Sequence, residues 1–191
     1  MDFKIHFENS WRVFTAYLPA MLISTIAMLA GSILSFGILA PVLSAGYMQS
    51  LLFALRESRK PELRDLILEM RLFLPLLGFS ILIFLAVFIG LAMLVLPGLV
   101  VMLIICFFCM YMLPLMTDQD YALFDALRES YRMSVQKPVS EHLAVVVVYL
   151  VLTSVGTSTG LLSIVTTPFA TLFFLSVYEA KRIRQLPGAG V

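Results

Sequence analysis

Residues 72–117 read LFLPLLGFSILIFLAVFIGLAMLVLPGLVVMLIICFFCMYMLPLMT, 46 residues without one Asp, Glu, Lys or Arg. A membrane span needs about 20 apolar residues. The stretch is too long for one span and too short for three, so it reads as two helices joined by a tight turn, and LPG at 96–98 supplies the turn. The same pattern recurs on either side. Residues 13–55 (43 residues) and 142–178 (37 residues) are equally free of those charges. Their breakers lie in SFGILAP (35–41) and in GTSTGLLSIVTTP (156–168). The third stretch, at about 18 residues per span, is the tightest fit and calls for a thin bilayer, little tilt or incomplete crossing.

The expected fold is therefore an all-α integral membrane domain over 1–191, with six transmembrane helices as three hairpins at about 13–55, 72–117 and 142–178. The composition agrees. Of 191 residues 61% are hydrophobic and 13% charged, and the mean hydropathy is +0.99. So few charges cannot cover the surface of a water-soluble domain of this size. The opening residues MDFKIHFENSWR (1–12) are charged and aromatic, unlike a cleaved signal.

An even number of spans per stretch puts every charged segment on one side. All 13 Lys and Arg fall there, which by the positive-inside rule makes that side and both termini cytoplasmic, in the inner membrane. The acids lie on the same side, so the net charge is only +1. That balance argues against nucleic acid as a partner.

Each charged segment is patterned as an interfacial amphipathic helix preceding its hairpin. Phe3, Phe7, Trp11 and Phe14 form one stripe. In KPELRDLILEMR (60–71) Pro61 stands at a helix start, and Leu63, Leu66, Ile67 and Met70 share a face. In TDQDYALFDALRESYRMSV (117–135), Thr117 or Asp118 can cap a helix whose Phe124, Leu127 and Tyr131 share a face. The pentapeptide ALRES occurs twice, at 54–58 and 126–130. It reads as a boundary composition of small and apolar residues, a snorkelling Arg and an acid. A binding role shared by Arg56 and Arg128 is the alternative.

The order of AGYMQSLLFALRESRKPELRDLI (45–67), LPGLVVMLIICFFCMYMLPLM (96–116), FDALRESYRMSVQKP (124–138), TPF (167–169) and VYEAKR (177–182) resembles a group of prokaryotic multi-pass membrane proteins. The group includes YciC-like proteins, several domains of unknown function and the membrane domain of some glycerophosphoryl diester phosphodiesterases. Gly46, Arg56, Pro61, Asp65, Pro97, Gly98, Pro114, Asp125, Ala126, Ser130, Pro168 and Tyr178 carry the resemblance. Ser58-Arg59 stands where the group often has glycine after the basic residue. The resemblance implies a multi-pass membrane fold and no settled activity.

No charge lies inside a predicted span, which disfavours transport through a charged relay. Cys106 and Cys109 form a CxxC in MLIICFFCMYM (102–112) with no second ligand pair, and read as small hydrophobes. His6 and His142 are too far apart in sequence to suggest a metal site. Asp118, Asp120 and Asp125 could gather near a cation, but helix capping explains the first two more simply. No catalytic motif appears, so no cofactor, metal or enzymatic role is expected. The intramembrane polar residues are Gln49 and the hydroxyls of the third hairpin, Thr153 and Thr157 among them. They read first as helix-packing groups.

Two functions follow. The favoured one is a non-enzymatic protein that binds membrane lipids, or a membrane or cytoplasmic protein partner, through its cytoplasmic helices. Arg56, Arg59, Lys60, Arg128 and Arg132 are the candidate contacts. The alternative is a transporter or channel for a small or amphiphilic solute, as a monomer or a homo-oligomer, with Gln49, Thr153 and Thr157 lining the path.

Overall fold

The structure is a computed structural model that describes residues 3–93, 95–136, 139–159 and 162–185. Among these there is no strand. Eight α-helices run in order: α1 Phe3–Leu34, α2 Ala40–Glu57, α3 Phe73–Met93, α4 Val95–Cys109, α5 Met112–Asp118, α6 Leu123–Val135, α7 Val139–Thr159 and α8 Ser163–Gln185. A 3₁₀ helix, Leu63–Leu72, precedes α3.

Four stretches are long and apolar enough to cross a membrane: Lys4–Leu34, Leu63–Ala92, Gly98–Asp118 and Ser163–Ile183. The apolar part of α7, His142–Ser154, is shorter. The helix α2 is not among the four, and its place in the bundle explains why. It packs against α1, α3, α5, α8 and the 3₁₀ helix. Ten of its 18 residues are buried, Tyr47, Gln49 and Ser50 included. A helix enclosed by other helices has no lipid face and need not be lipophilic throughout. In α8 every residue from Ala170 to Tyr178 is buried. By contrast α3 packs mainly on α4 and leaves Leu82, Phe84 and Phe88 exposed at 60% or more.

Among apolar surroundings the hydrophobic effect does not drive helices together, so close packing has to. Small residues permit it here. A Cβ on Gly46 would collide with the Leu66 carbonyl oxygen, so α2 and the 3₁₀ helix touch backbone to backbone. Gly31 of α1 packs on Leu43 of α2, and Gly156 of α7 on Thr166 of α8.

Prolines set the breaks. Pro19 cannot donate to the Thr15 carbonyl, and α1 loses helical geometry at Tyr17 (φ −119°, ψ 18°). The first charged segment is thus the leading arm of one kinked helix, not a separate one. Its stripe Phe7, Trp11 and Phe14 packs on Phe169 of α8, with ring centroids 5.2–6.0 Å away. Pro114 likewise cannot donate to Met110, and the chain breaks between α4 and α5. The turn of the first stretch lies where expected, between Leu34 and Ala40. In the second stretch LPG at 96–98 belongs to α4, and Leu94, between α3 and α4, lies outside the described residues.

The second charged segment differs from the expected α-helix. It is a 3₁₀ helix with Glu62 as N-cap, and Glu62 and Asp65 form a reciprocal capping box. In the third segment neither Thr117 nor Asp118 caps α6. Both belong to α5, and Ala122 is the N-cap residue of α6.

Candidate functional site

The charged side chains gather at one end of the bundle, and three helices meet on one arginine. Arg56, in the last turn of α2, grips Asp118 at the end of α5 with both terminal nitrogens, Nη2 lying 2.8 Å from Oδ2. Its Nε donates to Glu179 Oε2 of α8 at 2.6 Å. The planar guanidinium suits this two-pronged contact as lysine would not. Tyr178, fully buried in α8, donates its hydroxyl to Asp118 Oδ2 at 3.1 Å, and Arg182 Nε lies 3.6 Å from the same oxygen. Burial alone would lower the Arg56 pKa, but its hydrogen bonds to Asp118 and Glu179 raise it above its ordinary value.

A second network ties α2 to the 3₁₀ helix. Asp65 is buried, and its Oδ2 accepts Ser50 Oγ at 2.8 Å, the Glu62 N–H at 3.1 Å and the Arg59 guanidinium. The bond to Asp65 raises the Arg59 pKa. A third cluster joins the α4–α5 break, α7 and α8. His142, buried in α7, meets Lys181 Nζ at 2.9 Å and the Tyr111 hydroxyl at 3.2 Å through Nδ1.

A fourth arrangement repairs the α4–α5 break. Ser130 Oγ of α6 accepts the Tyr111 N–H at 3.1 Å and donates to the Phe108 carbonyl at 2.6 Å. Ser134, one turn on, donates to the Phe107 carbonyl at 3.0 Å. In an unbroken helix these three backbone groups would bond one another or Met112. Two serines at i and i+4 satisfy them instead.

This inward use of small and polar residues leaves the apolar stripes outside. On α6, Ala126, Ser130, Met133 and Ser134 are buried, while Phe124 is 79% and Tyr131 52% exposed. On the 3₁₀ helix Asp65, Leu66, Glu69 and Leu72 face inward. Leu63, Ile67 and Met70 face out, 41–58% exposed. Of the expected stripe only Leu66 is buried.

The predicted contact residues divide accordingly. Arg56 and Arg59 are committed to internal ion pairs. Lys60, Arg128 and Arg132 are exposed, Arg132 with Glu129 3.9 Å away. Gln49 is buried, and its Oε1 has no hydrogen-bond partner among the described residues. Thr153 Oγ1 bonds back to the Tyr149 and Leu150 carbonyls at 2.8 and 3.1 Å, a packing use of a hydroxyl. The Thr157 side chain lies outside the described residues, as does Lys137. Asp118 is taken by Arg56, and Asp120 pairs with Arg71. Sequence reasoning singled out Asp65 only within the resemblance and Asp118 as a cap, and missed that both side chains are buried partners of arginine. The capping box of Glu62 and Asp65 was a local signal for the first. The partners of Asp118 lie 60 or more positions away.

Two cavities complete the geometry. One, about 380 Å³, is lined by apolar side chains and the two thiols of Cys106 and Cys109. The other, about 300 Å³, lies between the arm of α1 and the end of α8, with His6, Asn9, Arg12, Ser176 and Glu179 on its walls. His6 Nδ1 and Ser176 Oγ are 2.8 Å apart there. Among the described residues no group of three His, Cys, Asp or Glu side chains is placed to hold a metal.

Fold and site together describe a helical protein with several helices long and apolar enough to span a membrane and a charge network closing one end. The chain matches no known family, no curated protein and no solved structure.

Proposed function

We propose that this protein is a non-enzymatic, six-span protein of the inner membrane that binds anionic lipid at its cytoplasmic face. The spans are α1, α2, α3, α4 with α5, α7 and α8. Support for three hairpins comes from the pairing of α1 with α2, α3 with α4 and α7 with α8. The charged end is the cytoplasmic one under the positive-inside rule, with both termini on that side. The resemblance to the YciC-like group belongs to the same proposal.

One observation carries the lipid reading: the outward apolar faces of the 3₁₀ helix and α6, with Lys60, Arg128 and Arg132 exposed beside them. Such faces seat a helix at the headgroup boundary, where basic side chains reach the phosphates. This narrows the predicted collar to Lys60, Arg128 and Arg132, since Arg56 and Arg59 serve the fold. Native mass spectrometry from nanodiscs of mixed anionic and zwitterionic phospholipid tests it. Arg128→Glu with Arg132→Glu is expected to lower anionic-lipid retention roughly tenfold with unchanged helicity. Equal retention by parent and variant would overturn the reading.

A second reading, a carrier for an amphiphilic solute, is favoured by Gln49 Oε1 in the middle of α2, which has no partner among the described residues. It requires that Gln49→Leu abolish flux into liposomes while the protein stays folded.

A further inference from the structure

We infer that the 380 Å³ cavity holds one acyl chain of an anionic phospholipid whose headgroup lies against Arg128 and Arg132 of α6. The inference rests on the lipid reading above and gives it a second, intramembrane half.

The lining fixes the chemistry. Met48 of α2, Ile105, Cys106 and Cys109 of α4, and Tyr149 and Phe174 of α7 and α8 form most of the wall. The Tyr149 hydroxyl is paired with Thr171. Nothing in that wall offers a polar solute an orienting contact, and an apolar cavity of this kind excludes water. An unfilled one forfeits the dispersion contacts of every atom around it. The volume lies at the lower end of the ~300–1,000 Å³ typical of ligand pockets, which suits a single chain better than the body of a two-chain lipid.

Continuity with the lipid-facing surface names the source. Ile83 lines the cavity, and its chain neighbours Leu82 and Phe84 are 63% and 66% exposed on α3. Ile105 follows Ile104, which is 48% exposed on α4. The wall therefore joins the apolar faces of two helices that are long and apolar enough to cross a membrane, where hydrocarbon chains are the abundant solvent. Charge then selects the lipid. Phe108, next to the lining residue Cys109, packs on Tyr131 of α6 with centroids 4.9 Å apart. Arg128 and Arg132, both exposed, stand one turn before Tyr131 and immediately after it. The chain slot and the cationic face are thus one aromatic contact apart, and a chain in the first brings an anionic headgroup toward the second.

Trp11 is the only tryptophan, so the test uses a Trp11→Phe background. Tyr149→Trp reports from the cavity wall and Phe88→Trp, at a position 60% exposed on α3, from the lipid-facing surface. Leu150→Trp is a second wall reporter should Tyr149→Trp fail to fold. Nanodiscs of zwitterionic lipid receive phospholipid brominated on its acyl chains, anionic or zwitterionic. The wall indole is expected to be quenched by the anionic lipid at a mole fraction roughly tenfold below that needed at Phe88→Trp. Arg128→Glu with Arg132→Glu should remove the gap. Equal quenching at the two positions, with anionic-lipid retention intact by mass spectrometry, would overturn the cavity assignment and leave the cytoplasmic contacts standing. Preferential wall quenching by both headgroups alike would overturn the assignment of an anionic lipid, and the headgroup reading with it.

Discussion

The pentapeptide at 54–58 and its twin at 126–130 share every letter and almost no structural role. Ala54 and Ala126 are both buried against a neighbouring helix. Leu55 and Leu127, both partly buried, pack against the core, and there the likeness ends. Arg56 binds Asp118 and Glu179 and closes the bundle, whereas Arg128 projects outward. Ser58 terminates α2 in the left-handed region at φ 52°, whereas Ser130 sits fully buried inside α6 and bonds two backbone groups of another helix. The first copy straddles the end of the helix that the rest of the bundle encloses. The second lies inside a helix that crosses the surface. What an arginine or serine does here depends on which face of which helix carries it, more than on its immediate neighbours.

Removing the two arginines exposes the contrast most strongly. Arg56→Ala leaves Asp118 and Glu179, 6% and 19% exposed, without their main counter-charge. Breaking a buried pair from one side costs about 3–5 kcal/mol. Arg128→Ala removes only an exposed side chain and is expected to stay within about 0.5 kcal/mol. Denaturant titration in matched micelles, followed by circular dichroism, measures both. Similar losses for the two variants would mean that Arg56 does not hold α2, α5 and α8 together.

Ser130 gives the next largest effect. Ser130→Ala deprives the Tyr111 N–H and the Phe108 carbonyl of their partner where the backbone of α4 and α5 is interrupted. Unsatisfied buried groups of this kind cost about 1–3 kcal/mol in all. Hydrogen exchange should quicken at Tyr111 in that variant while the exchange of α2 amides is unchanged. Unaltered protection at Tyr111 would show that the serine is a bystander.

The same dependence on position explains what could be read from the sequence alone. Charge-free stretches such as 72–117 reveal long apolar helices directly, because hydrocarbon tolerates few alternatives. The breaks near Pro19 and Pro114 were not read, and proline alone does not mark them, since Pro168 lies inside an unbroken α8. The outward stripes of α6 and the 3₁₀ helix were visible as periodicity, but not which way they point. An apolar stripe on a water-soluble protein turns inward. Here Phe124 and Ile67 turn outward, and Ser130 and Asp65 turn in. Least legible were the partners of Arg56, since Asp118 and Glu179 lie 62 and 123 positions away. No local pattern separates an arginine that meets two acids from one that meets lipid.

The smallest effect also has the most telling sign. A non-glycine residue in the left-handed region costs roughly 1–2 kcal/mol, and glycine is the usual residue just past a helix end. Ser58→Gly should therefore stabilise the protein, by about 1 kcal/mol less the entropy that glycine loses on folding. The contact made there survives, because Tyr17 donates its hydroxyl to the Ser58 carbonyl, which glycine also has. Ser130→Gly should do the reverse. It deletes both hydrogen bonds and adds the helix-interior penalty of glycine, about 1 kcal/mol relative to alanine. One substitution at the last letter of one pentapeptide thus carries opposite signs in its two copies. Measured in the same micelles, two destabilising changes would refute the left-handed terminus of α2. Two neutral ones would refute the role of Ser130 at the α4–α5 break.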